Sequence, residues 1–327
     1  MERDLFRLLA KAIERIDATF ADLPACTHRT AQIVRVHLWA ALHERPVDWA
    51  CEPRNWPGSM RERRRGVLPD QTTVSRRTRH GGRRYLEAFL DALAKELSPT
   101  PDPQLLDLKR LDGKPLLVAA HSKDRNASWG RGAGGQAKGY KLHALWGTSP
   151  LPEAWCVTPL NIDERRMAAR LLQHLEGAGY SVADGNYDSN ELCVLAHLNG
   201  YQMLAPRDTP FRGLGHRRQR PARQRAIDLL EHEGFGLGTF GPALFAHRRS
   251  IETKFGNLTT GIGGLAMALP PFIRRIWRVR TWVYAQYGSL KAHKTSLTLP
   301  IDSLSRPNLS QGGLVSWARS AKDGHNL

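Results

Sequence analysis

Three acidic residues of this chain lie in settings where they could bind a divalent metal ion. Asp112 opens the run Asp-Gly-Lys-Pro-Leu-Leu-Val-Ala-Ala, Asp184 follows Tyr-Ser-Val-Ala, and Glu252 lies in His-Arg-Arg-Ser-Ile-Glu-Thr-Lys. The first two fall on apolar runs typical of strands, and the third falls on a helix-like stretch. Carboxylates that converge repel one another unless a cation lies between them. Because Mg²⁺ prefers oxygen ligands, we expect Mg²⁺ at these residues, with Mn²⁺ able to replace it.

Each acid also has an ordinary structural interpretation that needs no metal ion. Asp-Gly, found at 112–113 and at 184–185, is a common turn dipeptide. Glu252 taken alone could be a solvated helix residue. The combination of two such steps beside strand-like runs with an Arg-flanked glutamate favours a site.

Composition points to a polyanionic partner. The chain has 48 Lys+Arg against 31 Asp+Glu, a net charge of +17, and neutralising phosphates with such side chains releases counterions. A ribosomal-type protein or a basic enzyme without a nucleic-acid role would share this charge. The four cysteines form no CxxC pair and indicate reduced thiols, and the scattered histidines do not favour a zinc site.

Nothing in the sequence favours a membrane location. The first residues are interrupted by charges and lack the apolar core of a signal peptide. No window approaches the length and apolarity of a membrane span. We therefore expect a cytoplasmic, nucleoid-associated protein.

Residues 1–98 show helical periodicity alone and predict an all-α DNA-binding domain. The amphipathic segments are 4–20, 30–43 and 83–97. The stretch 70–79 resembles the recognition helix of a helix-turn-helix, with Asp70 or Thr72 as its cap. The side chains expected to face DNA are Thr73, Arg76, Arg77 and Arg79. A Pro-rich hinge at 98–103 would end this domain.

The pattern after the hinge predicts a mixed sheet flanked by helices. Strands are expected at 105–119, 139–147, 153–160 and 201–205, with a further short strand that ends at 182–184, and helices at 163–178, 189–199 and from about 248 onward. The order β-β-β-α-β-α-β is the one expected of a ribonuclease-H-like fold. This catalytic domain would span 104–295, with a basic segment at 208–245. We expect the tail at 296–327 to be poorly ordered.

Four short motifs together resemble the DDE transposases of bacterial insertion sequences, most closely the insertion-sequence-4 group. The motifs are Asp112-Gly-Lys-Pro, Ser122-Lys-Asp-Arg125, Lys138-Gly-Tyr-Lys-Leu-His143 and Ala183-Asp-Gly-Asn-Tyr-Asp188. The resemblance covers roughly residues 105–290. It implies that Asp112, Asp184 and Glu252 are the metal-binding catalytic triad.

The third acidic element departs from the family pattern at two positions. That group shows Tyr, two residues, Arg, three residues, Glu, six residues and Lys. In this register the chain has Phe245, Arg248, Glu252 and Thr259. Phe245 could stack on a base but has no hydroxyl to donate, and Thr259 removes a phosphate contact. Lys254 could supply that contact, although from a different helix face.

The resemblance implies cleavage at the ends of a mobile element and joining of each freed 3′-OH to target DNA. The expected partner is double-stranded DNA, both terminal inverted repeats and target. The expected assembly on DNA is a homodimer, because two ends must meet. Two alternatives remain open: a catalytically silent relative that only binds DNA, and a nuclease of the same fold without strand transfer.

Further cations are candidates for contacts with the DNA backbone. A Gly-rich stretch at 121–138, expected to be a flexible loop, holds Lys123, Arg125 and Lys138. The densest cationic run, 212–225, includes Arg217 and Arg218. Both stretches could instead be solvated loops. Arg248 could hold a phosphate, or could simply pair with Glu252 one helical turn away.

Overall fold

A computed structural model of the chain describes residues 2–57, 68–79, 82–96, 107–132, 134–148, 151–208, 214, 219–231, 240–260 and 268–298. The predicted hinge at 98–103, Arg217, Arg218 and the tail from residue 299 lie outside the described residues.

Five α-helices lie in the described part of the N-terminal region. They are α1 (Glu2–Thr19), α2 (Thr30–Leu42), α3 (Val47–Cys51), α4 (Gln71–Arg79) and α5 (Gly82–Glu96). Apolar residues spaced one turn apart on α1, among them Phe6, Leu9 and Ile13, are buried against α2. The Phe6 ring meets the Trp39 ring edge-on, with centroids 4.9 Å apart.

A six-stranded mixed sheet forms the centre of the remaining chain. Its strands are β1 (Asp107–Leu117), β2 (Ser128–Gly132), β3 (Gly135–Trp146), β4 (Ala154–Pro159), β5 (Gly179–Val182) and β6 (Tyr201–Leu204). The order is β2-β3-β1-β5-β6, and β4 also pairs with β3. β3 is antiparallel to β1, β2 and β4, whereas β5 is parallel to β1 and to β6. The predicted mixed α/β class is therefore confirmed.

Helices cover both faces of this sheet. They are α6 (Glu164–Leu172), α7 (Asn190–Leu198), α8 (Pro221–Glu231), α9 (Phe240–Ala246), α10 (Ser250–Thr260) and α11 (Ile276–Thr298). On the first face, Leu116, Tyr140 and Leu142 pack against α10 and α11. On the second face, Leu111 and Leu145 pack against α6 and α7. Alternation along each strand separates the two sets of side chains.

Helix α11 joins the sheet to the N-terminal helices. Its Val279 and Val283 belong to the core of the first face, while Ala285 is buried in the core of the N-terminal helices. The Tyr284 hydroxyl donates to Asp91 Oδ1 of α5 over 3.0 Å. The helical region thus packs directly on the sheet region.

The prediction of a loop at 121–138 was wrong for its second part, because β2 and the start of β3 lie there, whereas residues 121–127 form neither strand nor helix. The glycines that suggested a loop are needed for close packing. A Cβ built on Gly130 would lie 2.7 Å from the Leu160 carbonyl oxygen, so no larger residue fits there. Gly135, at φ 121°, begins the returning strand in a conformation that favours glycine.

The described parts of the predicted basic segment at 208–245 include α8 and most of α9. The predicted helix at 163–178 is shorter than expected. It begins after Asp163, whose side chain caps the Arg166 N–H at 3.1 Å, and it ends at Leu172. Among the described residues, no helix is both long and apolar enough to cross a membrane.

Candidate functional site

Asp112 and Asp184 lie side by side on neighbouring parallel strands. The β1–β5 pairing runs from Asp107 opposite Gly179 to Arg110 opposite Val182. The same register, continued by two residues, brings Asp112 level with Asp184, which follows the end of β5. Two apolar strands that must pair to bury their side chains thus place two carboxylates where β5 ends beside the middle of β1.

One guanidinium contacts both aspartates and the glutamate. Arg248 Nη2 lies 3.3 Å from Asp112 Oδ2 and 3.6 Å from Asp184 Oδ2. Arg248 Nη1 lies 3.9 Å from Glu252 Oε1. The structure therefore brings the three predicted acids around a single cation. The expected pair between Arg248 and Glu252 is present, but the aspartates are closer to the guanidinium.

The turn that carries Arg248 is tied to the sheet by Arg110. The Arg110 Nε–H donates to the His247 carbonyl over 3.2 Å, and its Nη1 donates to the Gly147 carbonyl over 3.3 Å. His247–Arg249 forms a 3-10 turn that leads into α10. This anchoring fixes where the Arg248 guanidinium meets the carboxylates.

The three acids differ in exposure. Side-chain exposure is 14% for Asp112, 28% for Asp184 and 71% for Glu252. Glu252 thus stands on the open side of the aspartate pair, where a metal ion and a substrate could enter. Among the described residues, no three acidic, histidine or cysteine side chains are already arranged as metal ligands. The donor set is entirely carboxylate oxygen, which suits Mg²⁺.

The aspartate pair is electrostatically unfavourable in its charged form. Burial raises the pKa of Asp112 to about 6, opposed by the Gly113 N–H and the Arg248 charge. Burial also raises the pKa of Asp184, and Arg248 opposes this shift. The negative charge of Asp184 contributes to the rise at Asp112. Because the Arg248 guanidinium does not fully neutralise the two carboxylates, the site favours binding of a further cation.

Glu164 and Lys141 belong to the same electrostatic cluster, and the sequence analysis missed them as site residues. The Glu164 charge raises the pKa of both Asp112 and Asp184. Lys141 Nζ, from β3, forms an ion pair with Glu164 at the start of α6. Gly113 leaves room for this lysine, because a Cβ there would lie 3.2 Å from Lys141 Cδ. Lys141 lies inside a motif that was recognised, but nothing local indicates its pairing with Glu164.

The turn after Asp184 is held by hydrogen bonds and by a buried ion pair. Asp184 Oδ1 accepts the Asn186 N–H at 3.0 Å, and the Asn186 carbonyl accepts Arg165 Nε–H at 2.6 Å. Asp188 receives two hydrogen bonds from Arg223, at 2.7 and 2.6 Å. Arg223, from the cationic run at 212–225, therefore positions the motif around Asp184.

The three arginines predicted to face DNA on α4 have different surroundings. Asp70 caps this helix through the Thr73 N–H at 2.7 Å. Arg76 is exposed, and so is Arg79, whose guanidinium carbon lies 5.5 Å from the centre of the Trp277 ring. Arg77 points inward instead. Its side chain is 11% exposed and its Nη2 lies 3.2 Å from Asp22 Oδ1.

The remaining predicted DNA contacts are spread over the sheet region. Lys123 and Arg125 are exposed, whereas Lys138 Nζ donates to the Ser122 carbonyl over 2.5 Å. Phe245 is half-buried against the core beneath α8 and α9.

Lys254 reaches away from the acids. Its Nζ donates to the Gly147 carbonyl over 3.1 Å and lies 5.2 Å from the centre of the Trp146 ring. The side chain of Thr259 lies outside the described part of the chain. Lys254 therefore does not supply the cation that was expected to contact a phosphate.

Comparisons of this chain with protein-family models, with curated proteins and with solved structures gave no match. The geometry of the site is therefore the ground on which a function is argued.

Proposed function

We propose that this protein is a DDE-type DNA transposase with a ribonuclease-H-like catalytic region. The observation that carries the proposal is the meeting of Asp112, Asp184 and Glu252 at the Arg248 guanidinium. The strand order supports it, because an antiparallel set followed by two parallel strands is expected of that fold, although this sheet has one antiparallel strand more than the sequence predicts. A net charge of +17 suits a DNA substrate.

The acids and the arginine would have different roles in the site. Asp112, Asp184 and Glu252 would hold Mg²⁺, or Mn²⁺ in its place. The bound metal would activate the attacking oxygen and stabilise the leaving 3′ oxygen of a phosphodiester. Arg248 carries a planar guanidinium that can donate two parallel hydrogen bonds to a phosphate. It can therefore position a scissile phosphate beside the carboxylates.

Other elements would supply DNA affinity and pairing of ends. Arg76 and Arg79 on α4 are exposed and available to phosphates, and the N-terminal helices would bind the terminal inverted repeats. Joining two ends to one target would need at least two copies of the chain, acting on DNA in the cytoplasm at the nucleoid.

The test is an assay of cleavage and strand transfer on DNA carrying the inverted repeats that flank the gene. Wild-type protein with Mg²⁺ should cut at the repeat end and produce joined products. Asp184→Asn should lose both, while Glu191→Gln, which alters an exposed carboxylate on α7, should retain both. Metal-independent activity, or full activity of Asp184→Asn, would contradict the proposal.

A second candidate is a DNA-binding relative without catalysis. The half-buried Phe245 in place of a tyrosine favours it, as does the position of Lys254 against Trp146. In that case all variants would bind the repeats equally and none would cut. Cutting without joined products would instead indicate a nuclease of the same fold.

A further inference from the structure

Trp129 is a large apolar side chain that the fold leaves in solvent. It is 54% exposed, and within the described part of the chain only Leu198 and Leu214 are other exposed large hydrophobics. Trp129 lies on β2, an edge strand whose described pairing is with β3 alone. An exposed indole on a rigid hairpin indicates a contact surface, because an aromatic ring offers a large area at low entropic cost.

The surroundings of Trp129 are cationic. Lys123, Arg125 and Arg131 are exposed and make no hydrogen bond or ion pair with other residues that the structure describes. Lys138, paired with Trp129 across the hairpin, projects beside it. Together with Trp129, these four cations form what we call the Trp129 surface. Lys138 Nζ also holds the Ser122 carbonyl, so the loop that carries Lys123 lies next to the hairpin.

Asp124, the acidic residue near these cations in sequence, does not neutralise them at the surface. Asp124 is the only acid between Gly113 and Pro152, and it is 3% exposed. Its carboxylate accepts hydrogen bonds from the Tyr140 hydroxyl at 2.6 Å and from the Arg275 N–H at 2.9 Å. The Trp129 surface is thus positive, which favours a polyanion over a protein partner.

The Trp129 surface lies on the same face of the sheet as Asp112. Asp112 pairs with Ala144 of β3, and Trp129 pairs with Lys138. Ala144 and Lys138 are an even number of residues apart, so the side chains of both pairs project to one face. Between them on β3, however, Tyr140, Leu142 and Ala144 are buried under α10 and α11. The Trp129 surface and the aspartates are therefore two separate places for contact with DNA.

We propose that Trp129 stacks on a base of DNA bound at the Trp129 surface, a contact separate from the one at the aspartates. The cations of the Trp129 surface hold the backbone on either side of that base. Stacking needs a base whose face is accessible, so the DNA is unpaired or distorted there. The inference rests on the proposed function for the nature of the substrate, and it adds the position and the mode of a contact.

The test compares two duplexes of about three helical turns, one fully paired and one with a single unpaired adenine. Affinity is measured by fluorescence anisotropy without divalent metal. Trp129→Ala should weaken binding of the duplex with the unpaired base about 5- to 150-fold, with little effect on the paired duplex. Trp129→Phe should retain most of the affinity. Leu198→Ala removes an even more exposed side chain from α7 and should change neither affinity.

Equal affinities for wild type and Trp129→Ala on both duplexes would overturn the inference. A change in self-association of Trp129→Ala at unchanged DNA affinity would also overturn it, and would assign the indole to a second copy of the chain. The proposed function fails separately, through the cleavage assay. If Asp184→Asn loses cleavage while Trp129→Ala binds normally, only the stacking contact is wrong.

Discussion

Arg248 Nη2 lies 3.3 Å from Asp112 Oδ2, and this ion pair connects the turn before α10 to the middle of β1. The same nitrogen is 3.6 Å from Asp184. A cation is thus built into the protein at the place where a metal site is proposed. Its charge determines how far the aspartates can ionise without a metal.

Replacing Arg248 with an uncharged residue should raise the pKa of Asp112 further. Because Arg248 lowers the pKa of Asp112 against the effect of burial, Arg248→Gln should raise that pKa above its value of about 6. Carbon-13 NMR of the Asp112 carboxyl against pH would measure it. Arg249→Gln, at the exposed neighbouring residue, is the matched control and should leave the titration unchanged. An unchanged pKa after Arg248→Gln would show that the contact is absent in solution.

Ionisation of the buried Asp112 carboxyl should lower the free energy of unfolding at neutral pH. The pKa of Asp112 is raised in the folded state from 3.8 to about 6, so folding favours the protonated form. Stability should therefore fall as pH rises from 4 to above 6, by about 3 kcal/mol for this group. Asp112→Asn should remove the cost and be more stable than wild type at pH 7.5 by up to about that amount.

Urea denaturation at two pH values would measure this difference. Near pH 4 the advantage of Asp112→Asn should shrink, because the wild-type carboxyl is then mostly protonated in the folded protein. An Asn variant that is less stable than wild type at pH 7.5 would mean that the carboxylate stabilises the fold.

Neighbouring arginines of α4 should have opposite roles. Arg77 is paired with Asp22 and also donates from Nη2 to Thr30 Oγ1 over 2.6 Å. Arg77→Ala removes the nearer cation from Asp22, which keeps its hydrogen bonds from Leu23 and Thr30, and should destabilise the protein by about 1–3 kcal/mol. Arg76→Ala, at an exposed position, should leave the melting temperature unchanged. It should instead weaken DNA binding and reduce its salt dependence. Equal melting temperatures for the two variants would contradict the buried role of Arg77.

The sequence predicts the strands of the site well, because each is an apolar run that must be buried. β1, β4, β5 and β6 lie within two or three residues of the predicted ranges, and the helix carrying Glu252 is also present. β2 was missed because its glycines hide the alternation of a strand. Gly130 allows the backbone to pass close to Leu160, and no local sequence pattern indicates this contact.

The inward direction of Arg77 could have been predicted from helical phase. Val74 and Thr78 are buried one turn apart on α4, and residue 77 lies on the same side of the helix. By contrast, the pair formed by Lys141 and Glu164 joins β3 to α6. Such a contact depends on how the helix is laid on the sheet, which residue types and spacing do not determine.

The most direct test of the central claim is binding of Mn²⁺, followed by electron paramagnetic resonance of the free ion during a titration of the protein. Wild-type protein should bind Mn²⁺ at the aspartates, and Glu191→Gln should bind it equally. Asp112→Asn and Asp184→Asn should each lose that binding, because each removes a carboxylate from the pair at the proposed metal site. Equal Mn²⁺ binding by the wild type and both aspartate variants would show that these residues do not form a metal site.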